Sequence, residues 1–379
     1  ETGYPFSTDI VAIEYYCPHC KAHDYKAPDQ EDKELLKKAK TDFSSLEKEL
    51  PIPTQEIPEG YNTNQIRNHR YKKFKDLFNE RQLLCLGLLM KAINEVEDKN
   101  VQLWLQLAFS GMLEMNNMFC RYQQNAYKIC NIFFNHAYVP ITMPVENCVW
   151  GTKLGTGTFE KTIKKILRGK RFNKNIYDLS VKRLENGRYD SIQIENGDTV
   201  EACPITEYAM IDGKHPLLKC SDSRHLDFIP NESVDMVLTD PPYGANVMYS
   251  ELIDFFHVWN YQSSIADQIG FTEPVSPKER EIIVNSIAGK DFQYYQDGIT
   301  AVLSECHKKV KKDGYLVFSF HDKSLDSWLA VLESIYSAGF YLKKCYPVQA
   351  ETRTGAHTSN KNSIGIDLML VCQKVMMNQ

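Results

Sequence analysis

The sequence predicts an α/β protein, because its C-terminal part alternates between strand patterns and helix patterns. Short runs of β-branched and aromatic residues, typical of buried strands, are separated by amphipathic stretches long enough for helices. The expected strands are 234–239, 314–320, 341–348 and 364–373, and the expected helices are 291–310 and 324–338. Such alternation predicts a parallel sheet with helices packed on its faces.

The N-terminal half has a different pattern and is expected to be mainly helical. Apolar residues recur at three- and four-residue spacing from Phe74 to Phe134, which indicates two or three helices. A strand is expected at 9–16 and a helix near 31–49. A basic helix is expected from residue 159, followed by hairpins whose turns are Asn-Gly and Asp-Gly pairs.

The composition limits the function. The 379 residues carry a net charge of −5, and no apolar run is long enough to span a bilayer, so we expect no membrane segment and a cytoplasmic location. The 11 cysteines lack a regular framework of spacings, which favours reduced thiols. Cys17, Cys20 and His23 have ligand-like spacing, but a structural zinc site needs four ligands. We therefore expect two free cysteines in a turn and no metal site.

The segment Asp240-Pro241-Pro242-Tyr243 directly follows the apolar strand expected at 234–239. Open α/β sheets bind their ligands at the carboxyl ends of their strands. Two prolines remove two N–H donors, so the loop presents carbonyl acceptors, to which Asp240 adds a carboxylate. Two converging acceptors suit an exocyclic amine, which has two N–H bonds. Tyr243 adds an aromatic face for a base that is flipped out of its helix.

This segment resembles motif IV, (D/N/S)PP(Y/F/W), of the DNA amino-methyltransferases. Residues 231–259, NESVDMVLTDPPYGANVMYSELIDFFHVW, are similar to bacterial adenine-specific methylases that carry a long insert between their cofactor and catalytic motifs. The Cys-Pro-His-Cys turn and residues 145–153 are similar to the same group. The residues that match after the DPPY sequence are Tyr249, Glu251, Phe255, Phe256 and Trp259.

The resemblance implies a Rossmann-like core that binds S-adenosylmethionine and methylates adenine N6 in double-stranded DNA of a bacterial cell. It implies catalytic roles for Asp240, Pro241, Pro242 and Tyr243, and contact with the nucleic acid for Tyr249. Ser221-Asp222-Ser223 resembles the acidic motif that lies near the adenine of the cofactor. Ser221 and Asp222 are therefore the expected cofactor-binding residues.

The glycine-rich cofactor turn of this family, F-x-G-x-G after a strand, is not evident. Gly151 to Gly157 is rich in glycine but follows Trp150 rather than an apolar strand, and Phe109-Ser110-Gly111 lies inside a helical pattern. The chain also begins without methionine. We therefore expect a partial core, which a second chain or an N-terminal segment with the glycine motif would complete.

The patterns divide the chain into four segments. Residues 1–29 hold the N-terminal strand and the cysteine turn as part of the core, 30–150 form a mainly helical insert, 151–215 form a basic α+β insert, and 216–379 form the catalytic α/β region. Residues 161–174 contain seven basic residues and no acidic one. Such clusters suit phosphate contacts. The expected DNA contacts there are Lys164, Lys165, Lys170 and Arg171.

Two other functions remain open. Some tRNA guanine N2-methyltransferases also use a DPPYG sequence, and the chemistry at an exocyclic amine is the same. A non-catalytic DNA-binding subunit of a methyltransferase complex would keep the fold and act only with a partner. Whether a labelled methyl group is transferred to DNA or to tRNA distinguishes the DNA enzyme from the first alternative. Lack of cofactor binding by this chain alone would favour the second alternative.

Overall fold

The computed structural model describes residues 9–123, 128–153, 155–185, 187–195, 204–213, 215–349 and 366–375. The chain divides into two compact units. We call Glu1–Glu201 with Glu251–Ser276 the helical unit, and Ala202–Ser250 with Pro277–Gln379 the sheet unit. Each unit therefore consists of two separate pieces of the chain, and the expected N-terminal strand and cysteine turn belong to the helical unit.

The helical unit contains short antiparallel strand pairs and a series of helices. Its helices are α1 (Gln30–Leu46), α2 (Thr63–Arg67), α3 (Glu80–Asn94), α4 (Lys99–Leu113) and α5 (Phe159–Lys174). Its strand pairs are β1 (Ile13–Tyr16) with β2 (His23–Lys26), β3 (Arg121–Gln123) with β4 (Lys128–Cys130), and β5 (Tyr177–Arg183) with β6 (Tyr189–Glu195). The expected hairpin turn at Asn196-Gly197 lies outside the described residues.

Helix α4 ends earlier than the apolar spacing predicts, and the hairpin β3–β4 follows where a helix was expected. Two asparagines explain the end of the helix. The side chain of Asn116 donates to the carbonyl of Met112 at 2.7 Å, and that of Asn117 donates to the carbonyl of Leu113 at 2.9 Å. These side chains donate to carbonyls of the last helical turn. In a longer helix, the backbone N–H groups of a further turn would donate to the same carbonyls.

Helix α6 (Tyr249–Asn260) begins in the sheet unit and continues into the helical unit, where it supplies core residues. The ring of Phe255 stacks on Phe78 with centroids 5.6 Å apart. Trp259 meets Phe78 edge to face at 5.5 Å and packs against Phe109 at 5.6 Å. Phe255 and Trp259, two of the residues on which the resemblance depends, therefore have a packing role in this unit.

In its described residues, the sheet unit contains four strands and two α-helices that pack on one face of the sheet. The elements are β7 (Val234–Thr239), α7 (Phe292–Lys309), β8 (Val310–Phe320), α8 (Leu325–Ser337), β9 (Phe340–Gln349) and β10 (Ile366–Lys374). The strand order is β7-β8-β10-β9. The buried core between the sheet and α7 and α8 includes Tyr295, Ile299, Leu303, Leu316, Phe318, Phe320, Val331, Phe340 and Leu370.

The sheet is mixed, which corrects the expectation of a parallel sheet. Strands β7 and β8 are parallel, but β10 is antiparallel to both β8 and β9. A parallel return needs a crossover, usually a helix, and the sequence between β9 and β10, ETRTGAHTSNKNS (351–363), has no helical apolar spacing. The expected alternation of strands and helices is confirmed, whereas the direction of the last strand was wrong.

Strand β7 lies at the edge of this sheet, and apolar side chains on it are open to solvent. Met236 is 54% exposed and Leu238 is 70% exposed. In the described part of the chain, β7 pairs with β8 alone. Parallel strands are normally covered on both faces, so the exposure of Met236 and Leu238 marks a face of β7 that the described residues leave uncovered.

None of the helices in the described ranges is long and apolar enough to cross a lipid bilayer.

Candidate active site

The parallel pairing of β7 and β8 brings two loops to the same end of the sheet. Thr239, the last residue of β7, is in register with Phe318 of β8. Asp240 follows directly after β7, and Ser319 follows Phe318 in β8. Because both strands run in the same direction, the DPPY loop and the end of β8 are adjacent at the carboxyl edge, where ligands bind in sheets of this kind.

One oxygen of the Asp240 carboxylate is held by two hydroxyl groups. The hydroxyls of Tyr243 and Ser319 each donate to Oδ1 of Asp240 at 2.5 Å, and the two hydroxyl oxygens lie 2.9 Å apart. Asp240 itself is exposed. Among the described residues, no donor contacts its second oxygen, Oδ2, so Oδ2 is the acceptor that the carboxylate offers to a ligand.

The two proline carbonyls of the loop differ in what they contact. Tyr295 of α7 donates its hydroxyl proton to the carbonyl of Pro242 at 2.7 Å. Burial raises the pKa of Tyr295 to about 12, so this hydroxyl stays a donor near neutral pH. No residue in the described ranges donates to the carbonyl of Pro241. The Pro242 carbonyl is therefore occupied, and the two acceptors that remain for a ligand are Asp240 Oδ2 and the Pro241 carbonyl.

Tyr243 is half buried, and its ring and its hydroxyl have different surroundings. The ring meets Phe320 edge to face at 5.2 Å and His321 at 4.9 Å. Burial, together with the hydrogen bond to Asp240, holds the pKa of Tyr243 well above its usual range. The hydroxyl therefore remains protonated and keeps donating to the carboxylate. Stacking of a flipped base on this ring stays a prediction.

Gly244 completes the DPPYG sequence, and only glycine fits there. Its φ is +50°, and an added Cβ would lie 2.3 Å from Oγ of Ser327 and 2.9 Å from Oδ2 of Asp322. Its carbonyl accepts from the N–H of Val284 at 3.0 Å, and the carbonyl of Tyr243 accepts from Asn246 at 2.9 Å. These contacts fix the loop that carries the acceptors.

Tyr249, at the start of α6, lies within electrostatic reach of the carboxylate. It is 62% exposed. Partial burial and the negative charges of Asp240 and Glu281 raise its pKa. The contact expected between Tyr249 and a nucleic acid stays a prediction.

His321 and Asp367 form a further polar pair beside Tyr243. Nδ1 of His321 lies 2.5 Å from Oδ1 of Asp367, and both side chains are partly exposed. This pair was not predicted from the sequence, nor were Ser319 and Tyr295. A signal for Ser319 was present, because it is the polar residue between Phe318 and Phe320 in an otherwise apolar strand pattern that ends beside the DPPY strand.

The expected cofactor residues Ser221 and Asp222 are engaged within their own turn. Arg224 donates to both carboxylate oxygens of Asp222, with Nη2 2.6 Å from Oδ2 and Nε 3.0 Å from Oδ1. These hydrogen bonds hold the pKa of Asp222 well below its usual range. Ser221 donates to the carbonyl of His225 at 3.4 Å. A cofactor role for the two residues stays a prediction, and Asp222 would first have to give up part of its contact with Arg224.

The two glycine-rich stretches have structural roles in the helical unit. Gly111 lies inside α4. Gly157 has a φ of +68°, and an added Cβ would lie 2.3 Å from Met115. Thr158 then caps α5 by accepting from the backbone of Lys161. The described residues of both stretches therefore follow no strand of the sheet, as the sequence indicated.

Helix α5 carries the expected phosphate-binding residues, and two of them have partners on the protein. Lys164 pairs with Glu160 one turn away, and the ammonium of Lys170 lies 4.0 Å from the ring centre of Trp104. Lys165 and Arg171 are exposed. Of the four expected contacts, these two cations have no side-chain hydrogen bond or ion pair among the described residues, although Lys165 lies within electrostatic reach of Glu114.

The cysteine turn has a compact hydrogen-bonded backbone. The N–H of Lys21 donates to the carbonyl of Cys17 at 3.0 Å. The N–H of Cys17 donates to the carbonyl of Ala22 at 2.8 Å. His23 is 2.5 Å from Glu14. Over the described residues, no group of three or more His, Cys, Asp or Glu side chains converges as metal ligands would.

The fold and the site together define an α/β protein with an anchored carboxylate acceptor at the carboxyl end of two parallel strands. No model of a known protein family matches the chain, and no curated protein matches it. The function is therefore inferred from the residues of the site and their geometry.

Proposed function

We propose that this chain binds and orients the target amine in an S-adenosylmethionine-dependent amino-methyltransferase that acts on adenine N6 of double-stranded DNA. The observation that carries the proposal is the Asp240 carboxylate, held through Oδ1 and open at Oδ2 at the end of a parallel strand. A second acceptor, the Pro241 carbonyl, belongs to the same loop. An exocyclic amine has two N–H bonds and matches two such acceptors.

The two acceptors would orient the amine by taking both N–H bonds, which directs the nitrogen lone pair away from the loop. When bound, S-adenosylmethionine would supply an electrophilic methyl group to this nitrogen, and its sulfur would keep the electron pair of the broken bond. The amine gains positive charge as it reacts, and the nearby carboxylate stabilises that charge without reorganising. One amine proton then leaves to Asp240 Oδ2 or to water.

The described residues fit the amine better than they fit the cofactor. The carboxylate of Asp222 is occupied by Arg224, and neither glycine-rich stretch follows a strand. We propose that a segment with an F-x-G-x-G turn, from a second chain or from upstream in the same chain, holds the methionine part of S-adenosylmethionine. The open edge of β7 and the exposed Met236 and Leu238 support this assignment.

A transfer assay tests the proposed function. The protein is incubated with methyl-labelled S-adenosylmethionine and either double-stranded DNA or total tRNA, and the nucleosides are then analysed by mass spectrometry. We expect label in DNA as N6-methyladenine. Label that appears only in tRNA as N2-methylguanine would replace the proposal with the tRNA function. No transfer to either substrate, with the glycine-turn segment present, would favour a non-catalytic subunit.

Charge removal on α5 tests the proposed DNA interface. Replacing Lys165 and Arg171 with alanine is expected to weaken binding to all DNA sequences alike, because phosphate contacts carry no sequence information. The slope of log affinity against log salt concentration should fall by about 2, one for each lost phosphate contact. Fluorescence anisotropy at several salt concentrations measures both quantities.

In the matched control, Lys37 and Lys40 of α1 are replaced with alanine. Both are exposed, and together they carry the same charge as Lys165 and Arg171. This control should leave the salt slope unchanged, since that helix is not assigned to the interface. An equal effect of the two double variants would mean that only net charge matters, and α5 would lose its assignment.

A further inference from the structure

We propose, on the basis of the proposed function, that Ser319 is a positioning residue, which together with the hydroxyl of Tyr243 fixes one oxygen of Asp240 so that the other faces the substrate amine. Ser319 itself makes no bond to the substrate in this proposal. Its effect passes through Asp240, because both hydroxyls donate to the same atom, Oδ1, at 2.5 Å.

The exposed position of Asp240 is what makes such a clamp necessary. The terminal torsion of an aspartate is broad and roughly two-fold, so a carboxylate in solvent readily exchanges its two oxygens. Two donors on Oδ1 make the oxygens inequivalent and hold Oδ2 in one place. Positioning within a fraction of an ångström matters for transfer, since a misplacement of about 1 Å can cost roughly a hundredfold in rate.

Ser319 lies on an inner strand of the sheet. Strand β8 is paired on both sides, with β7 through Phe318 and with β10 through Ser319 itself, which is in register with Met369. Groups on paired strands hold their positions better than groups on loops. Phe318 and Phe320 on either side are buried in the core, which fixes the direction in which Ser319 points.

The second donor stays in its donating form. Burial and the contact with Asp240 keep Tyr243 protonated, as its raised pKa indicates. Tyr243 is tied to the fold through its ring as well, beside Phe320 and His321. Removing the hydroxyl while keeping the ring should therefore free the carboxylate without moving the loop. Tyr243→Phe is thus expected to lower kcat even if the ring alone stacks on a base.

The kinetic test compares three variants in the form of the protein that transfers methyl groups. Ser319→Ala and Tyr243→Phe are each expected to lower kcat by about tenfold to a hundredfold. The dissociation constant for DNA should change by less than about twofold, because neither hydroxyl is assigned to binding. Ser319→Thr keeps the hydroxyl and should restore kcat to near the original value. A kcat that Ser319→Ala leaves unchanged, or that threonine fails to rescue, would overturn the proposal.

A crystallographic test does not depend on activity. In crystals of Ser319→Ala, the Asp240 carboxylate is expected to rotate or to occupy two conformations, whereas in Ser319→Thr it should keep a single one. A single unchanged conformation in Ser319→Ala would show that Ser319 does not hold Asp240. If the unaltered protein methylates neither DNA nor tRNA, the proposed function fails and this comparison still decides whether the clamp exists.

Discussion

Replacing Asp240 with alanine is expected to reduce methyl transfer about a hundredfold to a thousandfold, the usual loss when one preorganised polar group of an active site is removed. The substitution removes Oδ2, the proposed acceptor for the amine, and also leaves the hydroxyls of Tyr243 and Ser319 without their shared partner. The fold should persist, since Asp240 is exposed and lies outside the buried core. Initial rates and a thermal unfolding curve measure the two effects separately.

Two further substitutions make this test specific. Asp235→Ala removes another carboxylate of β7, which is 84% exposed and pairs with Lys311, and it should leave the rate nearly unchanged. Asp240→Asn keeps one acceptor oxygen and should retain more activity than alanine. If Asp240→Ala kept more than about a tenth of the original rate, the carboxylate could not be the positioned group that the mechanism requires.

The second large effect concerns the cofactor. This chain alone is expected to bind S-adenosylmethionine weakly or not measurably, because none of its described residues forms an F-x-G-x-G turn after a strand. Adding the segment with the F-x-G-x-G turn should restore binding into the micromolar-to-millimolar range that is usual for substrates. Isothermal titration calorimetry measures both states. Micromolar binding by this chain alone would mean that its own residues hold the cofactor, and Arg224 bound to Asp222 would then be the first contact to re-examine.

The edge of β7 is the expected docking place for that segment, since an unpaired edge strand accepts a further strand. Leu238→Lys puts a charge on this edge and should prevent the restoration of cofactor binding. Leu329→Lys is the matched control, because Leu329 lies on α8 and is likewise exposed, at 47%. If both variants still regained binding, the segment would have to dock elsewhere.

The sequence predicted the elements of the sheet unit better than their directions. Local apolar spacing fixes where α7 and α8 lie, because each buries one face of a helix against the same strands. The direction of β10 depends on its connection to β9, and the apolar pattern within the two strands does not show that direction. In the same way, Asn116 and Asn117 ended α4 although the apolar spacing continued beyond them.

The candidate site was predictable only where it is contiguous in the sequence. Asp240, Pro241, Pro242 and Tyr243 form one segment after one strand and could be recognised as such. Ser319 lies 79 residues away from Asp240 and reaches it through the pairing of β7 with β8. The packing of α7 on the same strands likewise brings the hydroxyl of Tyr295 to the carbonyl of Pro242, to which it donates. Roles that depend on contacts between distant segments become visible only in the folded chain.

The division of the helical unit into two chain pieces has a consequence for its synthesis. Glu251 accepts from the backbone N–H of Tyr61, which precedes it by 190 residues, so this contact cannot form until Glu251 has been synthesised. Until α6 emerges, Phe78 and Phe109 lack the aromatic partners that cover them in the finished protein. Contacts of such high sequence separation slow folding. The nascent chain is therefore expected to expose this apolar surface until α6 has been made.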